Sequence, residues 1–115
     1  MLDKYKRLVA QLQNATSKKI LPWNRTSRDD EYEAAIGDNS VSVKYHHKNS
    51  TIQGDQDYIS LFIWNRNGDI VDELRATSPS DDYFTLSSLH QAASSAANRA
   101  EFTLDEILSD ISRIC

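Results

Sequence analysis

Cysteine, glycine and proline are all scarce in this sequence. The 115 residues include one Cys, three Gly and two Pro, which excludes disulfide-rich scaffolds, collagen-like chains and proline-rich disordered segments. Cys115 has no partner for an internal disulfide, so we expect a reducing compartment, with the cytoplasm as the default. A chain of this length fits a single domain over residues 1–115, with one hydrophobic core that needs no metal or disulfide.

Long hydrophobic runs are missing as well. No segment approaches the roughly 20 consecutive apolar residues that a membrane-spanning helix requires. The opening residues Met1-Leu2-Asp3-Lys4 lead into a charged helix rather than an apolar signal segment. We therefore expect a chain without a membrane segment that stays in the cytoplasm.

Negative charge dominates, but it is unevenly distributed. The net charge is −4. Residues 1–28 carry seven basic side chains against one acidic, whereas residues 29–115 carry six basic and sixteen acidic. Such asymmetry can attract a partner, or it can place a basic N-terminal element beside an acidic body. The second interpretation is favoured, because chain-level charge does not specify a ligand.

The stretch Tyr58–Trp64 is apolar on both faces, which is typical of a β-strand inside a sheet that needs cover on both sides. Asn67-Gly68 follows and predicts a type I′ hairpin turn. We expect residues 58–65 to form the central strand of an antiparallel sheet. The turn predicts two cross-strand pairs, Leu61 with Leu74 and Trp64 with Val71.

A second hairpin is predicted upstream, where apolar side chains alternate on either side of Gly37-Asp38-Asn39-Ser40. A turn at Asp38-Asn39 sets three cross-strand pairs, namely Ile36 with Val41, Ala34 with Val43 and Tyr32 with Tyr45. The opposite face of this hairpin should be exposed to water, and it holds Glu31, Glu33, Ser42, Lys44 and His46. Residues 47–56 are polar and predict a mobile surface loop.

Three helices are predicted, one before these strands in the sequence and two after them. Apolar residues recur at helical spacing over residues 2–14 and again from about Asp82 to Asn98 or Ala100. A third helix is predicted to start at Thr103, because Thr103 and Glu106 have capping-box spacing. Its apolar stripe should be buried through the C-terminus, and it comprises Leu104, Ile107, Leu108, Ile111 and Ile114.

The predicted fold is α+β: an N-terminal helix, a four- to five-stranded antiparallel meander and two C-terminal helices packed on one face. The turn Trp64-Asn65-Arg66-Asn67-Gly68-Asp69-Ile70 and the closing Leu104-Asp105-Glu106-Ile107-Leu108 helix complete this pattern. In these features the chain resembles a broad group of small uncharacterised bacterial single-domain proteins. The resemblance implies a bacterial cytosolic protein and carries over no catalytic residue.

Residues with catalytic or metal-binding chemistry are few and scattered. The three histidines, His46, His47 and His90, lack the further ligands that a first-row metal site needs, and adjacent His46 and His47 point to opposite faces of an extended chain. They are interpreted as surface histidines. No phosphate-binding glycine loop, nucleophile elbow or Cys/His pair is present. We expect no enzyme activity, no metal and no cofactor.

Since no catalytic or metal-binding motif is found, we expect a protein-binding module, which requires no such motif. An immunity or inhibitor protein that acts against a toxin is one form of this function. Residues 18–24 are predicted to be extended, and because Pro22 cannot donate a ladder hydrogen bond they form an edge strand or a lead-in. The predicted contact residues lie in and next to this segment, and they are Lys18, Lys19, Trp23 and Arg25. Trp23 is also interpreted as a core or rim anchor. The alternative is nucleic-acid binding through the basic N-terminal segment. No oligomeric state follows from the pattern.

Overall fold

A computed structural model of the chain describes residues 2–47 and 57–114, and for residues 100–102 only the helical backbone. The elements in chain order are α1 (Asp3–Ser17), β1 (Asn24–Arg25), β2 (Glu31–Ile36), β3 (Asn39–His46), β4 (Tyr58–Trp64), β5 (Ile70–Thr77) and α2 (Asp81–Ile114). The strands form one antiparallel sheet in the order β1-β2-β3-β4-β5. The predicted α+β meander is confirmed. The predicted loop at residues 47–56 lies outside the described residues except for His47.

The core lies between the sheet and α2, which contacts all five strands. Alanines on the sheet-facing side of α2 bring the helix close to the strands, and the buried side chains of α2 are Leu86, Leu89, Ala93 and Ala97. The strands contribute Tyr32, Ala34, Val41, Val43, Ile59 and Leu61. These residues match the stripes expected from helical and strand periodicity.

Helix α1 packs on α2 through Val9 and Leu12, which are buried. The helix continues three residues beyond the predicted range and ends at Ser17. Trp23 lies next to its last turn and is 2% exposed, and its indole N–H donates to the Thr16 hydroxyl at 2.8 Å. The interpretation of Trp23 as a core anchor is therefore confirmed.

The first hairpin has a different register from the predicted one. Gly37, with φ +62°, and Asp38 form the two-residue turn, so Ile36 pairs with Asn39 rather than Val41. The remaining pairs shift accordingly, Ala34 with Val41 and Tyr32 with Val43. The shift is two residues, so every side chain stays on its predicted face. Glycine at the first central position is typical of a type II′ turn.

The second hairpin confirms the pairing of Leu61 with Leu74. Trp64 pairs with Ile70 and not with Val71, because a bulge follows Ile63. The predicted type I′ turn is wrong: of its two central residues only Gly68 has a positive φ, +84°. The amide N–H groups of Asn67 and Asp69 both donate to the Asn65 side-chain oxygen at 3.0 Å. This geometry is typical of a three-residue loop with glycine in the left-handed region.

Two further predictions concern the strands. Residues 18–24 were predicted to form an edge strand or the lead-in to one, and the structure has a lead-in that ends in the short edge strand Asn24–Arg25, which pairs with β2. Strand β4 lies between β3 and β5, so it is an interior strand, but β3 is the middle one of the five. None of the described helices packs on the second face of β4, contrary to the expectation of cover on both sides.

The two predicted C-terminal helices are one continuous helix of 34 residues. Residues 98–103 contain neither glycine nor proline, so the helix can propagate through the predicted break, and Thr103 is helical rather than an N-cap. The stripe that begins at Leu104 was predicted to be buried, but it is exposed. Leu104 is 56%, Ile107 50%, Leu108 55%, Ile111 50% and Ile114 84% exposed.

A candidate binding surface on the outer face of the sheet

The face of the sheet opposite α2, called here the outer face, combines aromatic, hydroxyl and charged side chains. Alternate side chains of a strand point to the same face of the sheet, and residues paired across neighbouring strands share a face. One set of alternate residues in β2 to β5 therefore forms the outer face. They include Glu31, Glu33, Ser42, Lys44, His46, Tyr58, Ser60, Phe62, Trp64, Glu73 and Arg75. Glu31 and Ser42 were predicted to be exposed to water, but they are buried, at 3% and 1%.

Trp64 lies at one end of the outer face and is held by polar contacts. Its indole N–H donates to the Ser42 hydroxyl at 2.9 Å. The Arg28 guanidinium carbon lies 5.8 Å from the ring centre, within cation–π range, and the Phe62 ring centre lies 6.3 Å away. The indole is thus fixed in orientation while part of its surface stays in water.

Tyr58 lies at the other end, between two nitrogen-bearing side chains. The His46 ring stacks on it with centroids 4.1 Å apart and planes 9° apart. The guanidinium carbon of Arg75 lies 4.6 Å from the centre of the tyrosine ring. Burial, together with the positive charges of Lys44 and Arg75, lowers the pKa of His46 below its ordinary value of 6.5. At neutral pH this imidazole is therefore an uncharged aromatic ring.

The charges on and beside the outer face are balanced and largely paired. Arg75 donates to the Glu73 carboxylate at 3.0 Å, and the Ser60 hydroxyl donates to the same oxygen at 3.1 Å. Arg28 forms an ion pair with buried Glu31 at 3.4 Å. Three carboxylates (Glu31, Glu33, Glu73) stand against three cations (Arg28, Lys44, Arg75). The surface therefore offers oriented aromatic rings and no excess of either charge.

The predicted contact residues lie elsewhere, near the end of α1 and the edge strand β1. Lys18 and Lys19 are exposed, and Arg25 donates to the Asn98 side-chain oxygen at 2.8 Å. Lys19 and Trp23 line one hollow, but the indole of Trp23 is buried and bonded to Thr16. The contact role of Lys18, Lys19, Trp23 and Arg25 stays a prediction.

The adjacent residues His46 and His47 lie on opposite sides of the sheet, as predicted for neighbours in an extended chain. His46 stacks on Tyr58, whereas the His47 ring lies 4.6 Å from Tyr45, and its Nε2 atom contacts the Asp30 carboxylate. His90 contacts the Asp30 carbonyl oxygen at 2.8 Å. Across the described part of the chain, no group of three or more His, Cys, Asp or Glu side chains is arranged to hold a metal ion.

A cluster of polar side chains that was not predicted from the sequence surrounds the Tyr45 hydroxyl, on the side of the sheet that faces α2. This hydroxyl donates to the Asp57 carboxylate and accepts a hydrogen bond from the Tyr83 hydroxyl at 3.2 Å. Both bonds raise the pKa of Tyr45 well above its ordinary value, and the bond to Asp57 has the larger effect. The cluster joins β3 to the start of α2, so its evident role is structural.

Tyr58, Phe62 and Trp64 occupy alternate positions of β4 and so share one face of the strand, but that face was expected to be covered. The polar alternation of Ser42 and Lys44 in the neighbouring strand had already predicted a face without a second core. What was not predicted is that this polar face continues onto the aromatic face of β4.

Comparisons with family models, curated proteins and solved structures find no match to this chain. Within residues 2–47 and 57–114, no helix is long and apolar enough to cross a membrane.

Proposed function

We propose that this chain is a non-enzymatic protein-binding module and that the outer face of its sheet is the contact surface. The observation that carries the proposal is the row of half-buried aromatic side chains, Tyr58, Phe62 and Trp64, set among balanced charges. The resemblance to small bacterial single-domain proteins implies that the module works in a bacterial cytosol. An immunity or inhibitor protein, which blocks a toxin by covering it, is one form of this function.

The chemistry of the outer face suits a protein partner. Aromatic residues and arginine are enriched at the centres of protein interfaces, where they contribute much of the binding energy. Trp64 and Tyr58 are already oriented by Ser42 and Arg75, so little side-chain freedom would be lost on binding.

Nucleic-acid binding fits the outer face less well. Affinity for nucleic acid comes mainly from lysine and arginine side chains that neutralise phosphates. Here Arg28 and Arg75 are paired with Glu31 and Glu73, and a third carboxylate, Glu33, lies on the same face. The basic residues Lys18 and Lys19 lie outside this face, so they would have to bind phosphate without its aromatic rings.

An affinity pull-down from a bacterial lysate, performed with and without nuclease, tests the proposal. A discrete protein should be retained after nuclease treatment and lost with Trp64→Ala and with Phe62→Ala. The matched control is Phe84→Ala, which removes a 57% exposed aromatic side chain from α2 and should retain the partner. Circular dichroism checks that each variant is folded.

Two outcomes would contradict the proposal. If the captured material disappears with nuclease and with Lys18→Glu/Lys19→Glu, the partner is nucleic acid bound by the N-terminal segment. If a protein is retained equally by all three aromatic variants, the contact surface is not the outer face.

A further inference from the structure

The last part of α2 carries a continuous apolar stripe that is exposed to water. Leu86 and Leu89, near the start of the helix, are fully buried against the sheet, whereas every large aliphatic residue from Leu104 onwards is at least 50% exposed. The five residues are Leu104, Ile107, Leu108, Ile111 and Ile114. Exposed apolar side chains this closely clustered on one helix mark an interaction site.

The spacing of the stripe is that of a coiled coil. Leu104, Ile107, Ile111 and Ile114 follow one another at intervals of three, four and three residues, which are the a and d positions of a heptad repeat. Such a seam is complementary to another helix of the same pattern. A second copy of this chain supplies that helix.

A hollow of about 330 Å³ lies where the stripe begins. Its lining combines apolar residues with two cations, and comprises Lys19, Leu21, Pro22, Trp23, Ala96, Arg99 and Thr103. Ala96 and Thr103 directly precede the heptad positions Ala97 and Leu104 in the sequence, so the hollow flanks the stripe. At 1.5 Å per residue, Ile114 lies about 15 Å along the helix from Leu104.

We propose that two copies of the chain associate through this stripe in an antiparallel orientation. With Leu104 of each copy packed against Ile114 of the other, the tip of each helix reaches the hollow of its partner. Lys19 and Arg99 then lie beside the negative end of the incoming helix. Leu108 faces its own counterpart near the two-fold axis, whereas a parallel pairing would place it against Thr103.

The area of the stripe is sufficient for such a dimer. At roughly 100 Å² for each half-exposed aliphatic side chain, two stripes would together bury about 1,000 Å². That is the lower limit for a specific protein interface, and the two hollows add to it. This interface lies on α2, so it leaves the outer face of the sheet available for the proposed protein partner.

Sedimentation equilibrium of the full chain tests the association. The wild type should sediment at twice the monomer mass of 13.1 kDa. Ile111→Asp should weaken the dimer by more than about a hundredfold, because each interface would hold two buried charges. Ser109→Asp adds the same charge on the polar side of the same helix, and it should leave the dimer intact.

A monomeric wild type, or a dimer that both aspartate variants affect equally, would overturn the proposal. Binding of the outer-face partner is measured separately, so failure of the dimer does not affect that proposal.

Disulfide cross-linking tests the orientation, in chains that also carry Cys115→Ser. An equimolar mixture of Leu104→Cys and Ile114→Cys chains should form a mixed disulfide under mild oxidation, and neither variant alone should cross-link. Self-linking of Ile114→Cys would show a parallel dimer and would refute the antiparallel arrangement.

Discussion

The Trp64 indole donates its N–H to the Ser42 hydroxyl diagonally across two strands, since Ser42 pairs with Phe62 in the backbone register. Removing the hydroxyl leaves this N–H without its partner. Ser42→Ala should therefore lower the free energy of unfolding by about 1–2 kcal/mol, as measured by urea denaturation. Ser40→Ala, in the same strand, should change it by less than about 0.5 kcal/mol. Equal effects of the two variants would show that the bond contributes nothing specific.

A second prediction concerns the buried bond between Trp23 and Thr16. Thr16→Val keeps the shape of the side chain but leaves the indole N–H unpaired, so it should cost about 1–3 kcal/mol of unfolding free energy. Thr16→Ser retains the hydroxyl and should cost less than about 1 kcal/mol. Thermal or urea unfolding followed by circular dichroism measures both values. A valine variant as stable as the serine variant would contradict this account of the Trp23 anchor.

His46 should make stability depend on pH. Burial lowers its pKa in the folded state below 6.5, so just below that value the unfolded chain binds more protons than the folded chain. The free energy of unfolding should then fall as the pH drops below the ordinary imidazole pKa of 6.5. His46→Gln should remove part of this fall. Curves of stability against pH that run parallel for both proteins would show that His46 does not contribute.

The turn between β4 and β5 depends on Gly68, whose φ is +84°. An alanine in the left-handed region is strained, so Gly68→Ala should destabilise the fold by about 1–2 kcal/mol. Gly68→Asn should cost less, because asparagine tolerates this conformation better. The midpoints of urea unfolding give the order of the three proteins. If alanine is tolerated as well as asparagine, the backbone conformation at Gly68 is not limiting.

Periodicity predicted the elements well because burial on one face imposes it directly. The pair Leu61 and Leu74 was predicted correctly although the turn was not, because the bulge after Ile63 shifts the register by one residue and restores the predicted pairing. The first hairpin was misassigned by two residues, because both registers keep Tyr32 and Val43 on the core face. Periodicity alone cannot distinguish them, and the positive φ of Gly37 selects the observed turn.

Other features depend on neighbours distant in the sequence. Thr103 and Glu106 match a capping box, but this N-terminal cap forms only where a helix begins, and here one helix runs through Thr103. The helical spacing of Ile107 and Ile111 predicts an apolar stripe, but it does not show which part of the protein covers that stripe. The outer face was not predicted as a site, because Trp64 and Ser42 are 22 residues apart and come together only through the register of β3 with β4.

The contacts of α2 with all five strands have a consequence for synthesis of the protein. The ribosome completes the sheet residues, 24–77, before the first turn of α2 is made. Until that helix docks, Val43, Ile59 and Leu61 have no cover from it, and an unprotected apolar sheet is prone to aggregate. Stable folding therefore waits for the last third of the chain, and a nascent polypeptide that stalls near Ser80 should depend on chaperones.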